Sequence, residues 1–96
     1  MAQADPPSSL IESMIGQVVV LDLTSRYVCL GTLTQVDQVF YALRDADLHD
    51  LRDGQATREI YVHDAARLGI RRNRAFVLIR RDEVVAIARF VDVSED

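Results

Sequence analysis

The chain has 96 residues, a length that holds one compact domain rather than two. Charged residues make up 27% and hydrophobic residues 49%, which excludes a disordered chain, and no window nears the ~18 apolar residues of a membrane helix. The net charge of −4 excludes a polycation that coats nucleic acid by total charge, yet leaves room for a local basic site.

Lysine is absent, so all eleven Lys-or-Arg positions carry the planar guanidinium fork that suits phosphates, bases and carboxylates. Cys29 is the only cysteine, which excludes an internal disulfide and a cysteine zinc site. The opening stretch MAQADPPSS lacks the basic and apolar regions of a secretory signal. A cytoplasmic protein is the expectation.

The first element is a short helix. Ser9 and Glu12 have capping-box spacing, with Pro6 and Pro7 upstream to block extension. Leu10, Ile11, Met14 and Ile15 fill one broad face, and Gly16 is placed to end the helix at positive φ. Under two turns long, it must dock on something to persist. Strands follow at Val18–Leu23 and Tyr27–Val36, split by the Thr24-Ser25 turn. Gly31 lies inside the second strand, where glycine marks a bulge or bend, as a small closed barrel requires. A third strand covers 39–43 and extends as far as Leu48 on the longer reading.

Residues 45–54 are acidic, with Asp45, Asp47, Asp50 and Asp53 against Arg52, and end in the turn pair Asp53-Gly54. Thr57 then caps a second helix, with Tyr61, Ala65 and Leu68 on one face and Gly69 at its end; a strand through Tyr61-Val62 is the alternative. The last two strands are 75–79 and 84–90. Only Arg80-Arg81-Asp82-Glu83 separates them, which predicts a tight hairpin. Their runs FVLI and VVAIA predict burial on both faces, and pairing with another subunit would cover such an edge. The expected fold is a mainly β, five-stranded antiparallel barrel behind a short helix, with a helical insertion between strands three and four. Residues 1–8 are expected to be a flexible tail, 9–93 the domain with its insertion over about 50–74, and 94–96 a second tail.

Two blocks of this chain resemble the Sm and Sm-like family. The first spans 16–47 and includes VVVLDLTSRYVCLGTLTQVDQVFYALRDAD, with Gly31, Leu33, Asp37, Phe40 and Leu43 in family spacing. The second is LIRRDEVVAI, residues 78–87, similar to the second Sm motif. The resemblance implies a strongly bent five-stranded barrel of the SH3-like kind. It also implies a homomeric ring of six or seven subunits, joined through the fourth strand of one and the fifth of the next. It implies single-stranded RNA bound around the pore. Asp37 matches the acid that supports the nucleotide loop, Phe40 the residue that stacks on the base, Arg80 the arginine beside the base and Asp82 the supporting acid. Tyr41 stands where the family carries Asn, and Arg81 where it carries Gly. Both join the candidate RNA-binding set.

Six arginines and no acid lie between 67 and 81. Arg67, Arg71, Arg72 and Arg74 are candidates for contacts to the RNA backbone, with salt-dependent affinity. The other reading has them neutralise residues 45–53 of the same or a neighbouring subunit. Phe40 and Tyr41 point to opposite faces of their strand, so one of them belongs to the core. Asp45, Asp47 and Asp50 fail the EF-hand pattern, and His49 and His63 are too far apart in sequence for a local metal pair, so no metal or cofactor is implied. No phosphate-cradling glycine loop or nucleophile elbow is present, which argues against an enzyme. The leading expectation is an RNA-binding ring without a membrane partner. The rival is a ring that has lost RNA and binds protein partners through the insertion. A third version keeps RNA but moves it to the arginine-rich loop.

Overall fold

Alternation of β-branched and long apolar residues, cut by short polar turns, makes five strands in this chain. The computed structural model describes residues 9–53 and 57–93. The expected tails, the prolines at 6 and 7, and the Gly54 half of the Asp53-Gly54 turn lie outside the described residues. Helix α1 is Ser9–Glu12, followed by β1 Val18–Leu23, β2 Tyr27–Val36 and β3 Phe40–Asp50. Helix α2 is Arg58–Leu68, and β4 Arg74–Arg80 and β5 Val84–Arg89 complete the domain. The strands form one antiparallel sheet in the order β4-β3-β2-β1-β5.

The single turn of α1 is extended toward Gly16 by tighter i→i+3 bonds, such as Met14 N–H to Ile11 O and Ile15 N–H to Glu12 O. Ser9, expected as the cap, is the first helical residue. Gly16 has φ of 91°, and its N–H donates to Leu33 O while Leu33 N–H donates to Gln17 O. The helix is thereby tied to β2, and Ile11 and Met14 pack on the core. Leu10 and Ile15 remain exposed.

Two compensating irregularities bend β2 against β3. Leu30 pairs with Asp47 but Thr32 with Arg44, so β3 carries an extra residue opposite Gly31. Asp45, one of the two residues there, takes φ of 50°. Leu33 pairs with Leu43 but Gln35 with Ala42, so β2 carries the next extra residue, Thr34. Its hydroxyl donates to Ala42 O. Gly31 is required by close approach: a Cβ there would lie 2.9 Å from Ala46 Cβ.

The core has two parts, one on each face of the sheet. The first gathers Val19, Leu21, Leu23, Cys29, Leu33, Tyr41, Leu43, Ala46 and Ile79. On the opposite face Val20, Val28 and Leu30 pack with Val62 and Ala65 of α2. Double coverage explains the uninterrupted apolar stretches of β1 and β2.

Thr57 caps α2 by accepting the Ile60 N–H, and Gly69 closes it with φ of 98° and its N–H on Ala65 O, so Tyr61-Val62 is helical rather than extended. The buried stripe is Val62 and Ala65 with half-buried Tyr61, whereas Leu68, expected on that stripe, is 79% exposed. Arg58 docks the start of the helix on the β1–β2 turn, donating to Ser25 O at 3.0 Å with Asp22 3.7 Å from its Nε.

One expectation for the last strands fails. β4 and β5 do not form a hairpin. Arg81–Glu83 folds as a 3-10 turn, after which β4 pairs with β3, β5 pairs with β1, and the two stand at opposite edges of the sheet. A bent sheet carries the chain across from one edge to the other, which proximity in sequence does not reveal. Within the protomer these strands keep apolar side chains exposed, as edges left for another subunit would. Phe76 and Leu78 of β4 are 57% and 49% exposed, Val85 of β5 is 68% exposed, and Ile79 alone of these strands is buried.

Candidate nucleic-acid interface

The β2–β3 turn is built around one carboxylate. Asp37 Oδ1 accepts the N–H groups of Val39 at 2.8 Å and Phe40 at 2.7 Å, while Asp37 N–H donates to Phe40 O. This is an Asx turn, with the side chain substituting for a backbone acceptor. The Phe40 N–H, then that of Val39, holds the Asp37 carboxyl below the usual carboxylate range, and the Arg81 charge adds to this. Phe40 is thus presented at a fixed position as the first residue of β3.

Strand pairing brings the second motif to it. Phe40 lies opposite Arg80, and Tyr41 opposite Ile79. Arg81 then fastens the two loops together. Its N–H donates to Val39 O and its Nη1 to Asp37 O, each at 2.7 Å. Arg80 Nη2 donates to Asp82 Oδ2 at 2.6 Å on the exposed surface. Asp37, Phe40, Tyr41, Arg80, Arg81 and Asp82, predicted from two separate segments, therefore meet at one end of the sheet. Within the group Tyr41 is core and buried, and Phe40 is only half-buried, as alternation along a strand requires. The Arg81 guanidinium lies over the Tyr41 ring, 5.8 Å from its centroid. Gln38, Tyr41, Arg81 and Asp82 line an open cleft of about 450 Å³. Sequence reasoning missed Gln38, since a lone glutamine in a turn carries no pattern.

The arginine block does not form a single patch. Arg74 begins β4 and Arg80 ends it, a separation of roughly 20 Å at the rise of an extended strand. Arg71 and Arg72 line a different cleft, of about 630 Å³, with Asp47, His49, Tyr61 and Asn73, while Arg67 is exposed on α2. Among the described residues no ion pair joins the block to Asp45, Asp47 or Asp50 within the protomer. Asp50 is paired with Arg26 and Arg52, and Asp45 lies 3.9 Å from Arg44. The Arg52 guanidinium, followed by its N–H, holds Asp50 far below the usual carboxylate range.

A polar network at this second cleft was not legible beforehand. Asp47, only 5% exposed, accepts from the Tyr61 hydroxyl and from Asn73 Nδ2. Asn73 also donates to Leu48 O and accepts from Leu48 N–H. The rings of His49 and Tyr61 stack at 4.0 Å. Burial, and then the Asp47 charge, push the Tyr61 phenol upward. These residues are far apart in sequence, so only the packing of α2 unites them. Among the described residues no group of three His, Cys, Asp or Glu side chains could hold a metal ion. None of the described helices is long and apolar enough to cross a membrane.

No protein-family model matches the chain, and no curated protein matches it. Solved structures do. An Sm protein of Pyrococcus abyssii, determined in complex with a uridine heptamer, is 20% identical over 88% of this chain and 99% of that one, with a TM-score of 0.60. An Sm-like protein of Archaeoglobus fulgidus is 17% identical over 92% of this chain and 99% of its own, with a TM-score of 0.59. At such identities the likeness establishes the fold: a short helix and five bent antiparallel strands in the Sm arrangement.

Proposed function

We propose that this chain is an Sm-like protein that assembles into a homomeric ring of six or seven subunits and binds single-stranded RNA around the pore. It acts in the cytoplasm and is not an enzyme. The observation that carries the reading is the joined pair of loops, in which Asp37 fixes Phe40 beside Arg80. Phe40 stacks on a base, which contributes ~1–3 kcal/mol per base. Arg80 contacts base or backbone, and Asp82 orients it. Assembly follows from the sheet edges, where β4 and β5 each carry exposed apolar residues at opposite ends of the strand order. Edges of this kind pair with other chains, and a head-to-tail contact that closes makes a ring. Repetition of the site around the ring raises the effective affinity. The Pyrococcus structure, solved with a uridine heptamer, supports the same ligand class for this fold.

Native mass spectrometry, with and without nuclease, tests both parts. The expected result is a ring mass bearing nuclease-sensitive RNA. A monomer at micromolar concentration refutes the assembly. A clean ring that takes up no oligouridine at low salt refutes the RNA reading.

A second reading has the ring bind protein through α2. Exposed Ile60 and Leu68 on that helix favour it. Substituting both by Ser should then abolish partner capture while the ring persists. Deleting the insertion would not serve as a test, because α2 covers Val20, Val28 and Leu30.

A further inference from the structure

The cleft lined by Gln38, Tyr41, Arg81 and Asp82 holds two side chains of fixed hydrogen-bonding sense, Arg81 as donor and the Asp82 carboxylate as acceptor. Arg81 is held on two sides, with Nη1 on Asp37 O at 2.7 Å and its guanidinium over the Tyr41 ring. It carries five N–H donors, and among the described residues its remaining ones have no protein acceptor. The next residue, Asp82, has one oxygen on Arg80, and among the described residues its Oδ1 accepts nothing. Gln38 completes the wall. Donors of Arg81 and an open acceptor of Asp82 thus line the same cleft, of about 450 Å³.

Each base offers a different order of groups to such a wall. Guanine presents acceptors at O6 and N7 next to donors at N1 and N2. Guanidinium forks bind the acceptor pair in a bidentate way. A carboxylate oxygen accepts from N1–H and N2–H. Uracil also offers an acceptor beside N3–H, but its other carbonyl then faces the carboxylate, lone pair against lone pair. Cytosine places its amine against the guanidinium. Adenine has a single donor and no O6. Tyr41 supplies no amide, its ring is committed to the core, and the amide of Gln38 offers both a donor and an acceptor and so favours no one base.

We infer that Arg81 and Asp82 make this site selective for guanosine, with Arg81 on O6 and N7 and Asp82 on N1–H and N2–H. This rests on the proposal that the pore loops bind RNA, and it adds which base they read. Arg81 is then a specificity residue, positioned by Asp37 O and Tyr41.

The experiment is fluorescence anisotropy on the assembled protein with four labelled RNA heptamers: UGUGUGU, UUUUUUU, UAUAUAU and UIUIUIU, in which I is inosine. Alternation with U avoids guanine quadruplexes. UGUGUGU should bind at least about tenfold tighter than UUUUUUU or UAUAUAU, from one bidentate contact. Inosine, which lacks the N2 amine, should lose part of that gain. Arg81→Gln should bring UGUGUGU and UUUUUUU to equal affinity, and Asp82→Asn should shrink the gap. Should either variant fail to assemble, the four-RNA comparison on the unaltered protein still decides. Equal affinity for all four, with a steep salt dependence, overturns the proposal and makes Arg81 a phosphate contact. Tighter binding of UUUUUUU overturns it as well. Each of these outcomes leaves RNA binding intact, whereas a ring that binds none of the four refutes the RNA reading itself.

Discussion

Replacing Gly31 by Ala should destabilise the domain by about 1–2 kcal/mol. The new Cβ would lie 2.9 Å from Ala46 Cβ, 3.1 Å from Ala46 Cα and 3.2 Å from Arg44 O. Two of these atoms are backbone, and the third is a methyl carbon with no rotamer through which to withdraw. Ala46 is fully buried, so it has no open space to move into. Overpacking of this kind costs ~1–3 kcal/mol. Loss of the glycine's freedom in the unfolded chain offsets about 0.4–1 kcal/mol. Urea unfolding followed by circular dichroism reads the difference. Protein concentration must be held constant, because ring assembly couples stability to concentration. Melting should fall by roughly 4–8 °C per kcal/mol for a domain of this size. Ala46→Gly, added to Gly31→Ala, removes the nearest atom but not the other two, so it should recover part of the loss. A double-mutant cycle should therefore show favourable coupling between the two glycine-alanine exchanges. A Gly31→Ala variant as stable as its parent, or uncoupled from position 46, refutes the close-approach account of the bend.

Tyr61→Phe leaves one oxygen of buried Asp47 without its donor and should cost ~1–3 kcal/mol, seen as a lower urea midpoint; an unchanged midpoint would show that water replaces the hydroxyl freely. Burial pushes the Cys29 thiol up from 9.0 to about 12, so native protein should resist thiol reagents at pH 8 and react only on unfolding. A raised native value also means that stability is intact below pH 9 and declines between pH 9 and about 12, as the unfolded thiol ionises first; rapid labelling of folded protein would contradict this. Asp37 titrates below 3.8 in the native state, so its hold on the turn is present above that value and lost only as pH falls further. Asp37→Ala should accelerate amide exchange at Val39 and Phe40 at neutral pH, and unaltered protection there would show that the carboxylate does not hold the turn.

Local chemistry was the legible part of this chain. The positive φ of Gly16 and Gly69, the Thr57 cap and the bend at Gly31 all follow from residue type at a boundary or inside a strand. The candidate site was legible only through a resemblance, in which the turn residues Asp37 to Phe40 and the arginine pair Arg80-Arg81 at the end of β4 match two family motifs. The hairpin expectation failed for a topological reason. FVLI and VVAIA are separated by four residues, yet β4 and β5 lie at opposite edges of the sheet. Short spacing measures contour length, and a 3-10 turn crosses the open end of a bent sheet as readily as a hairpin turn reverses a strand. Leu68 missed its assigned stripe because a three-residue apolar spacing does not say which of two adjacent faces meets the sheet.

The sequence by itself determined the number of strands, the Thr57 and Gly69 caps of α2 and the residue types at the turn carboxylate, since these depend on backbone preferences within a few residues. Tertiary structure alone decided that Arg81 lies over Tyr41 and donates to Asp37 O, across a gap of 44 residues. It alone divided the arginine block between two ends of β4 and buried Asp47 under α2. Those outcomes depend on which surfaces meet when the bent sheet and the insertion helix pack, and that is a property of the whole chain.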